Sequence, residues 1–190
     1  KAGRFLRASD LGMSGENNEW KPVIQDKLSQ QLLVPNGTMG QRWEEGKKWN
    51  LKLETEDGTP IDPMLSMVES DYHVETIQFP YFDSSGDGIF ERPIATRTIQ
   101  LANGEEVKIA TVYDLMTSQY GVQRFEHELE ATSYDDASSK YTPAWQEQIT
   151  GIKKELVTKV AKEFAQNAID TGGRSMIIMG AGINHWFNSD

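Results

Sequence analysis

The stretch Ile152-Lys153-Lys154-Glu155-Leu156-Val157-Thr158-Lys159-Val160-Ala161-Lys162-Glu163-Phe164-Ala165-Gln166-Asn167-Ala168-Ile169-Asp170-Thr171-Gly172-Gly173-Arg174-Ser175-Met176-Ile177-Ile178-Met179 decides the fold class. Its apolar residues, from Ile152 through Leu156, Val160 and Phe164 to Ile169, recur at three- and four-residue spacings. Lys153, Lys154, Lys159, Lys162 and Glu163 lie off that stripe. This is the period of an amphipathic helix. Gly172-Gly173 predicts its end, because glycine takes the left-handed C-terminal position without a Cβ penalty. Residues 176–179 are continuously apolar rather than alternating, so 175–179 is predicted to be a buried parallel strand. A strand of that kind needs neighbours from elsewhere in the polypeptide.

Working back along the chain, Thr142 followed by Pro143 predicts a helix start, with proline at the position where a missing N–H costs nothing. That helix is expected to reach about Gln148. Thr111 with Asp114 three residues on predicts another, over 112–120 and stopped by Gly121. Residues 122–141 are polar and turn-rich and read as a connecting loop.

Before residue 110 the pattern is that of irregular β-hairpins. Residues 20–26 and 31–34 are short apolar-rich runs, and Pro35-Asn36-Gly37 is a turn signal, which together suggest a hairpin. Further strands are predicted over 48–55, before Asp57-Gly58, and over 72–79, before Pro80. Trp43, Trp49, Phe79, Tyr81 and Phe82 are expected to supply most of the buried area here. Around Asn103-Gly104 two registers compete. A two-residue loop would set Leu101 opposite Glu106 and mix apolar with charged side chains on one face. A three-residue loop with Gly104 left-handed pairs Ile99 with Val107 and keeps one apolar face, and is preferred. The whole is an α+β chain, with a β-rich hairpin region over 1–110. A helical region over 111–190 ends in one buried strand and a loop, as part of an incomplete α/β domain.

Composition narrows the function classes. Nineteen basic against twenty-nine acidic residues give a net charge of −10. That disfavours nucleic acid and anionic lipid, whose phosphates need clustered Lys and Arg. With no cysteine, the segment supplies no disulfide, thiolate metal ligand or iron–sulfur ligand. Its longest apolar run falls far short of the roughly 20 residues that span a bilayer. The start, Lys1-Ala2-Gly3-Arg4, lacks an initiator methionine and reads as a cut end.

Candidate sites are few. Gly180-Ala181-Gly182 after a strand suits either a nucleotide-binding turn or a tight turn that needs small residues; a third glycine is missing, with His185 in its place. Asp83-Ser84-Ser85-Gly86-Asp87-Gly88 has the opening of a calcium loop, but Ile94 stands where a bidentate Glu is required, and a surface turn is the better reading. His73 and His127 have no partner at metal-ligand or triad spacing. His185, between Asn184 and Trp186, is either a packed loop residue or a donor, acceptor or proton carrier near neutral pH. Asn36-Gly37-Thr38 matches a glycosylation acceptor, but without a secretory context a turn is the better reading.

The stretch Gly180-Ala181-Gly182-Ile183-Asn184-His185-Trp186-Phe187-Asn188-Ser189-Asp190 closely resembles a segment of the catalytic alpha subunits of membrane-bound respiratory nitrate reductases. The resemblance continues in the same order along the chain. It takes in Gly3-Arg4-Phe5-Leu6-Arg7-Ala8-Ser9-Asp10-Leu11, Asn18-Glu19-Trp20-Lys21, Gly40-Gln41-Arg42-Trp43, Phe79-Pro80-Tyr81-Phe82, Thr111-Val112-Tyr113-Asp114-Leu115, Tyr120-Gly121-Val122 and Ser133-Tyr134-Asp135-Asp136. Tyr141-Thr142-Pro143-Ala144-Trp145 is shared more broadly with molybdopterin oxidoreductases.

The resemblance implies an interior piece of a much larger chain, inactive alone. The parent would carry a bis(molybdopterin guanine dinucleotide) molybdenum centre and one iron–sulfur cluster, whose ligands lie outside this segment. It would reduce nitrate to nitrite with electrons from quinol. Its partners would be an iron–sulfur beta subunit and a membrane cytochrome b gamma subunit, at the cytoplasmic face of the cell membrane and without direct insertion. Carried over by position, the resemblance implies His185 in the molybdenum pocket with Asn184 beside it, and Gly180 and Gly182 where backbone approaches the pterin. Charge alone suggests Arg174 for cofactor phosphate. Another molybdopterin oxidoreductase, acting on a different oxyanion or on formate, and a purely structural or interaction module are the alternatives.

Overall fold

The computed structural model describes residues 3–36, 53–83, 86–131 and 133–180, without the side chains of 81–83 and 86–88. The chain divides into two compact units, 1–131 and 132–190.

In the first unit, strands β1 (Ile24–Gln25) and β2 (Leu32–Leu33) pair antiparallel, with Ile24 opposite Leu33. The turn between them is built on Asp26, whose Oδ2 accepts the backbone N–H and the hydroxyl of Ser29 at 2.7 and 2.6 Å. Its Oδ1 accepts the N–H of Asp62 at 2.9 Å, so the buried carboxylate also ties this hairpin to a later segment. The two apolar runs therefore pair through residues 26–31. Of the strand predicted over 48–55, residues 48–52 lie outside the described residues, as do Trp43 and Trp49. Glu54 makes an isolated bridge to Pro60 around the turn at Asp57-Gly58.

The main sheet is antiparallel, in the order β3–β4–β5: β3 (His73–Asp83), β4 (Gly86–Gln100) and β5 (Glu106–Ile109). Both long strands exceed the sequence prediction. The first was expected to stop before Pro80, yet Pro80 pairs with Ile89 and the ladder runs on to Asp83 opposite Gly86. Pro80 is tolerated because β3 is an edge strand, where one N–H needs no ladder partner. Pro93 lies within β4 opposite Thr76, before β5 begins its own pairing at Arg97. There β4 has a strand on one side only, and the Pro93 carbonyl accepts the Ser118 hydroxyl at 2.7 Å. The hairpin reverses between Asp83 and Gly86, within the candidate calcium loop; Ser84 and Ser85 lie outside the described residues.

The β4–β5 register is the preferred one. Ile99 pairs with Val107, and Gly104 has φ of 86°. Helix α1 (Val112–Gln119) starts on Thr111, whose hydroxyl accepts the Asp114 N–H. The helix packs on β4. Ala8, Ile61, Met64, Met67, Phe79, Ile94 and Ala95 form the buried apolar set of this unit. Of the aromatics expected to dominate it, Phe79 is buried and stacks on Phe90 with centroids 5.7 Å apart.

In the second unit, α2 (Pro143–Thr150) is capped by Thr142 and ends on left-handed Gly151, two residues beyond the expected Gln148. Helix α3 (Lys154–Thr171) follows and ends on left-handed Gly172, φ 66°. Glu147 fastens the corner, accepting Lys153 Nζ at 2.7 Å and the Lys154 N–H at 3.0 Å. The predicted buried strand over 175–179 is not formed. Among the described residues they have no ladder partner, and Met176, Ile177, Ile178 and Met179 are 64–84% exposed. A parallel strand exists only between neighbours, and the described residues of this unit offer none. The same holds for α3, which has no buried residue although its apolar stripe is as predicted.

Candidate functional site

The candidate cofactor-side residues follow α3. After Gly172, the Arg174 N–H donates to Thr171 Oγ1 at 3.2 Å. Asn167 Nδ2 donates to the Arg174 carbonyl at 3.2 Å and to Ser175 Oγ at 2.8 Å, and the Ser175 hydroxyl donates to the Phe164 carbonyl at 2.9 Å. These bonds turn the chain back against the last turns of the helix and set its direction into 176–180. Sequence reading missed Asn167 and Ser175, since a polar pair eight residues apart carries no pattern of its own.

Arg174 is exposed. Among the described residues, nothing lies within 4 Å of the place a Cβ at Gly180 would occupy. Gly182, Asn184 and His185 lie outside the described residues. Of the other histidines, His73 is exposed, and His127 Nδ1 accepts the Leu129 N–H at 3.2 Å. Among the described residues, no three His, Cys, Asp or Glu side chains converge as a metal-ligand set. No helix among them is long and apolar enough to cross a membrane.

The strongest polar cluster lies in the first unit. Asp114 is fully buried, with Oδ1 accepting Ser66 Oγ at 2.6 Å and Arg124 Nη1 at 2.5 Å. Its Oδ2 accepts the Met67 N–H and the Thr111 hydroxyl, each at 2.8 Å. Burial pushes this carboxyl up, but the bonds from Met67, Ser66, Arg124 and Thr111 outweigh it and hold the group below its ordinary range. With both oxygens filled by protein donors, the cluster is a structural joint between a 3₁₀ turn (Met67–Glu69), α1 and the following loop. The sequence signal was Thr111 with Asp114 alone; Ser66 and Arg124 are remote in sequence.

No family model matches the chain. Full-length relatives do. The nitrate reductase alpha chain of Bacillus subtilis is 52% identical over 190 residues, which is all of this chain and 15% of that protein. The respiratory nitrate reductase 1 alpha chain of Escherichia coli is 41% identical over 203 aligned residues, covering 100% of this chain and 16% of the relative. The nitrate reductase alpha subunit of Mycobacterium tuberculosis is 42% identical over 196, covering 99% and 15%. The chain thus spans about 15% of the length of the curated relatives it matches. Matched from end to end at this level, it belongs to the nitrate reductase alpha chain family.

Proposed function

We propose that this chain is part of the catalytic subunit of a respiratory nitrate reductase, which reduces nitrate to nitrite with electrons from quinol. The observation that carries this reading is the 52% identity to a nitrate reductase alpha chain along all 190 residues. We assign to the parent protein a bis(molybdopterin guanine dinucleotide) molybdenum centre and one iron–sulfur cluster. Its partners are an iron–sulfur beta subunit and a membrane cytochrome b gamma subunit, which hold it at the cytoplasmic face of the membrane.

The described residues fit a phosphate-bearing pterin at two points. Gly180 has no side chain to stand between its backbone and a ring, and Arg174 is an exposed guanidinium able to donate to phosphate oxygens. The chain has no cysteine, so cluster ligands would come from elsewhere in the parent. When bound, the molybdenum group supplies two electrons to nitrate and accepts the oxygen that nitrate gives up. In this reading Gly180 and Gly182 keep the backbone clear of the cofactor, and Asn184 orients the oxyanion through its amide. His185 hydrogen-bonds the substrate and carries one of the two protons that convert the released oxygen to water.

Replacement of His185 by Ala in the full-length enzyme tests the site. The expected result is nitrate turnover slower by about 10²-fold, the scale of a lost general acid, at undiminished molybdenum content. Unchanged turnover would remove His185 from the mechanism. The activity itself is tested by assaying the full-length enzyme with nitrate, chlorate and formate. Turnover of formate without nitrate, or an absence of molybdenum, would overturn it.

A further inference from the structure

The loop after α1 closes on itself. The Ala131 N–H donates to the Gly121 carbonyl at 3.3 Å, joining the two ends of residues 121–131. A surface loop of this size, with its ends together and its interior filled by its own side chains, is an Ω-loop. The interior here is Glu130, 8% exposed. Its carboxylate accepts the backbone N–H groups of Arg124 at 2.9 Å and of Phe125 and His127 at 3.1 Å each. The shape of the loop is therefore held from within.

Attachment to the rest of the unit uses other atoms. The Arg124 guanidinium donates from Nη1 to Asp114 Oδ1 at 2.5 Å and Thr117 Oγ1 at 3.1 Å, and from Nη2 to Ser66 Oγ at 2.5 Å. It lies 5.6 Å from the centre of the Tyr113 ring. The Phe125 ring adds a contact to Tyr72 at 6.1 Å. The stem is the C-terminal cap of α1, with the Gly121 N–H donating to the Ser118 carbonyl at 2.9 Å and the Val122 N–H to the Thr117 carbonyl at 3.0 Å around left-handed Gly121, and it stays with the helix. The bonds that shape the loop and the bonds that dock it share no acceptor.

We infer that residues 121–131 are a preassembled flap, docked through the Arg124 side chain and able to undock with its Glu130-centred shape intact. A segment with no ladder bonds, fastened by the Arg124 and Phe125 side chains, can open at less than the free energy of global unfolding. Undocking strips donors from Asp114, Ser66 and Thr117 but leaves every bond to Glu130 in place.

Amide hydrogen exchange on the full-length protein separates the two sets of bonds. Arg124→Gln is expected to speed exchange at Met67, whose N–H donates to the Asp114 carboxylate that Arg124 pairs, by about tenfold or more, the scale of a lost hydrogen bond to a charged group, while positions 124, 125 and 127 change by less than about twofold. Glu130→Gln is expected to do the reverse. If unpaired Asp114 prevents Arg124→Gln from folding, the charge-free pair with Asp114→Asn, or Phe125→Ala alone, provides the same reading. Equal acceleration of both sets by either substitution, or acceleration of neither set, would overturn the inference.

Discussion

Ile99 stands directly opposite Val107 in the β4–β5 ladder. Side chains alternate across a strand, so this one pairing puts Ile99, Leu101, Val107 and Ile109 on the half-buried face and leaves Thr98, Gln100, Glu106 and Lys108 exposed. The pairing depends on Gly104, whose φ of 86° closes the three-residue loop.

Among the described residues, a Cβ at Gly104 would meet nothing within 4 Å, so substitution there reports backbone strain. Gly104→Ala is expected to cost about 1–2 kcal/mol, the penalty of an L-residue in the left-handed region. Gly104→Asn should cost less, because asparagine tolerates that region better. Urea unfolding of the three proteins measures this, and an unchanged midpoint for the alanine variant would contradict it.

Asp114 predicts a pH dependence with a definite sign. Burial alone would raise its pKa, but its hydrogen bonds prevail and the folded value is depressed. The stabilisation is therefore fully present above the unfolded value of about 3.9 and is lost as pH falls through the folded one. Asp114→Asn, which leaves Arg124 without its charge partner, should cost about 3–5 kcal/mol at neutral pH. The gap to the parent should narrow below about pH 4. Unfolding curves taken down the acid range decide it, and a gap that stays constant to the lowest pH would place the stabilisation elsewhere.

The run at Met176, Ile177, Ile178 and Met179 is apolar, exposed and, among the described residues, without a ladder. Such an edge is a template for pairing with another chain. The 190-residue chain by itself is expected to associate in a concentration-dependent way, and Ile178→Lys is expected to weaken that association. Sedimentation equilibrium of both proteins measures it. Equal behaviour of the two would free this run of responsibility.

Local rules made several elements legible. Thr111 with Asp114 marks the start of α1, Thr142-Pro143 the start of α2, and Gly172 the end of α3, because capping and left-handed termini depend on a few adjacent residues. The β3–β4 ladder was only partly legible. Whether Pro80 or Pro93 breaks a strand depends on which side of the strand lacks a neighbour, a fact about the sheet and not about the tetrapeptide around the proline. For the candidate site, the direction of the chain into Gly180 depends on Asn167 meeting Ser175, and the positions of Asn184 and His185 lie outside the described residues.

The three helices and their order, the caps at Thr111, Thr142 and Gly172, the β4–β5 register, the apolar stripe of α3 and the collinear family motifs were determined by sequence alone, because each is carried by residues close together along the chain. Tertiary structure decided that Asp114 gathers donors from Ser66, Met67 and Arg124 into one buried joint. It also decided that the apolar run after α3 stays unpaired among the described residues. A carboxylate's worth depends on what burial brings to it, and a parallel strand exists only beside its neighbours.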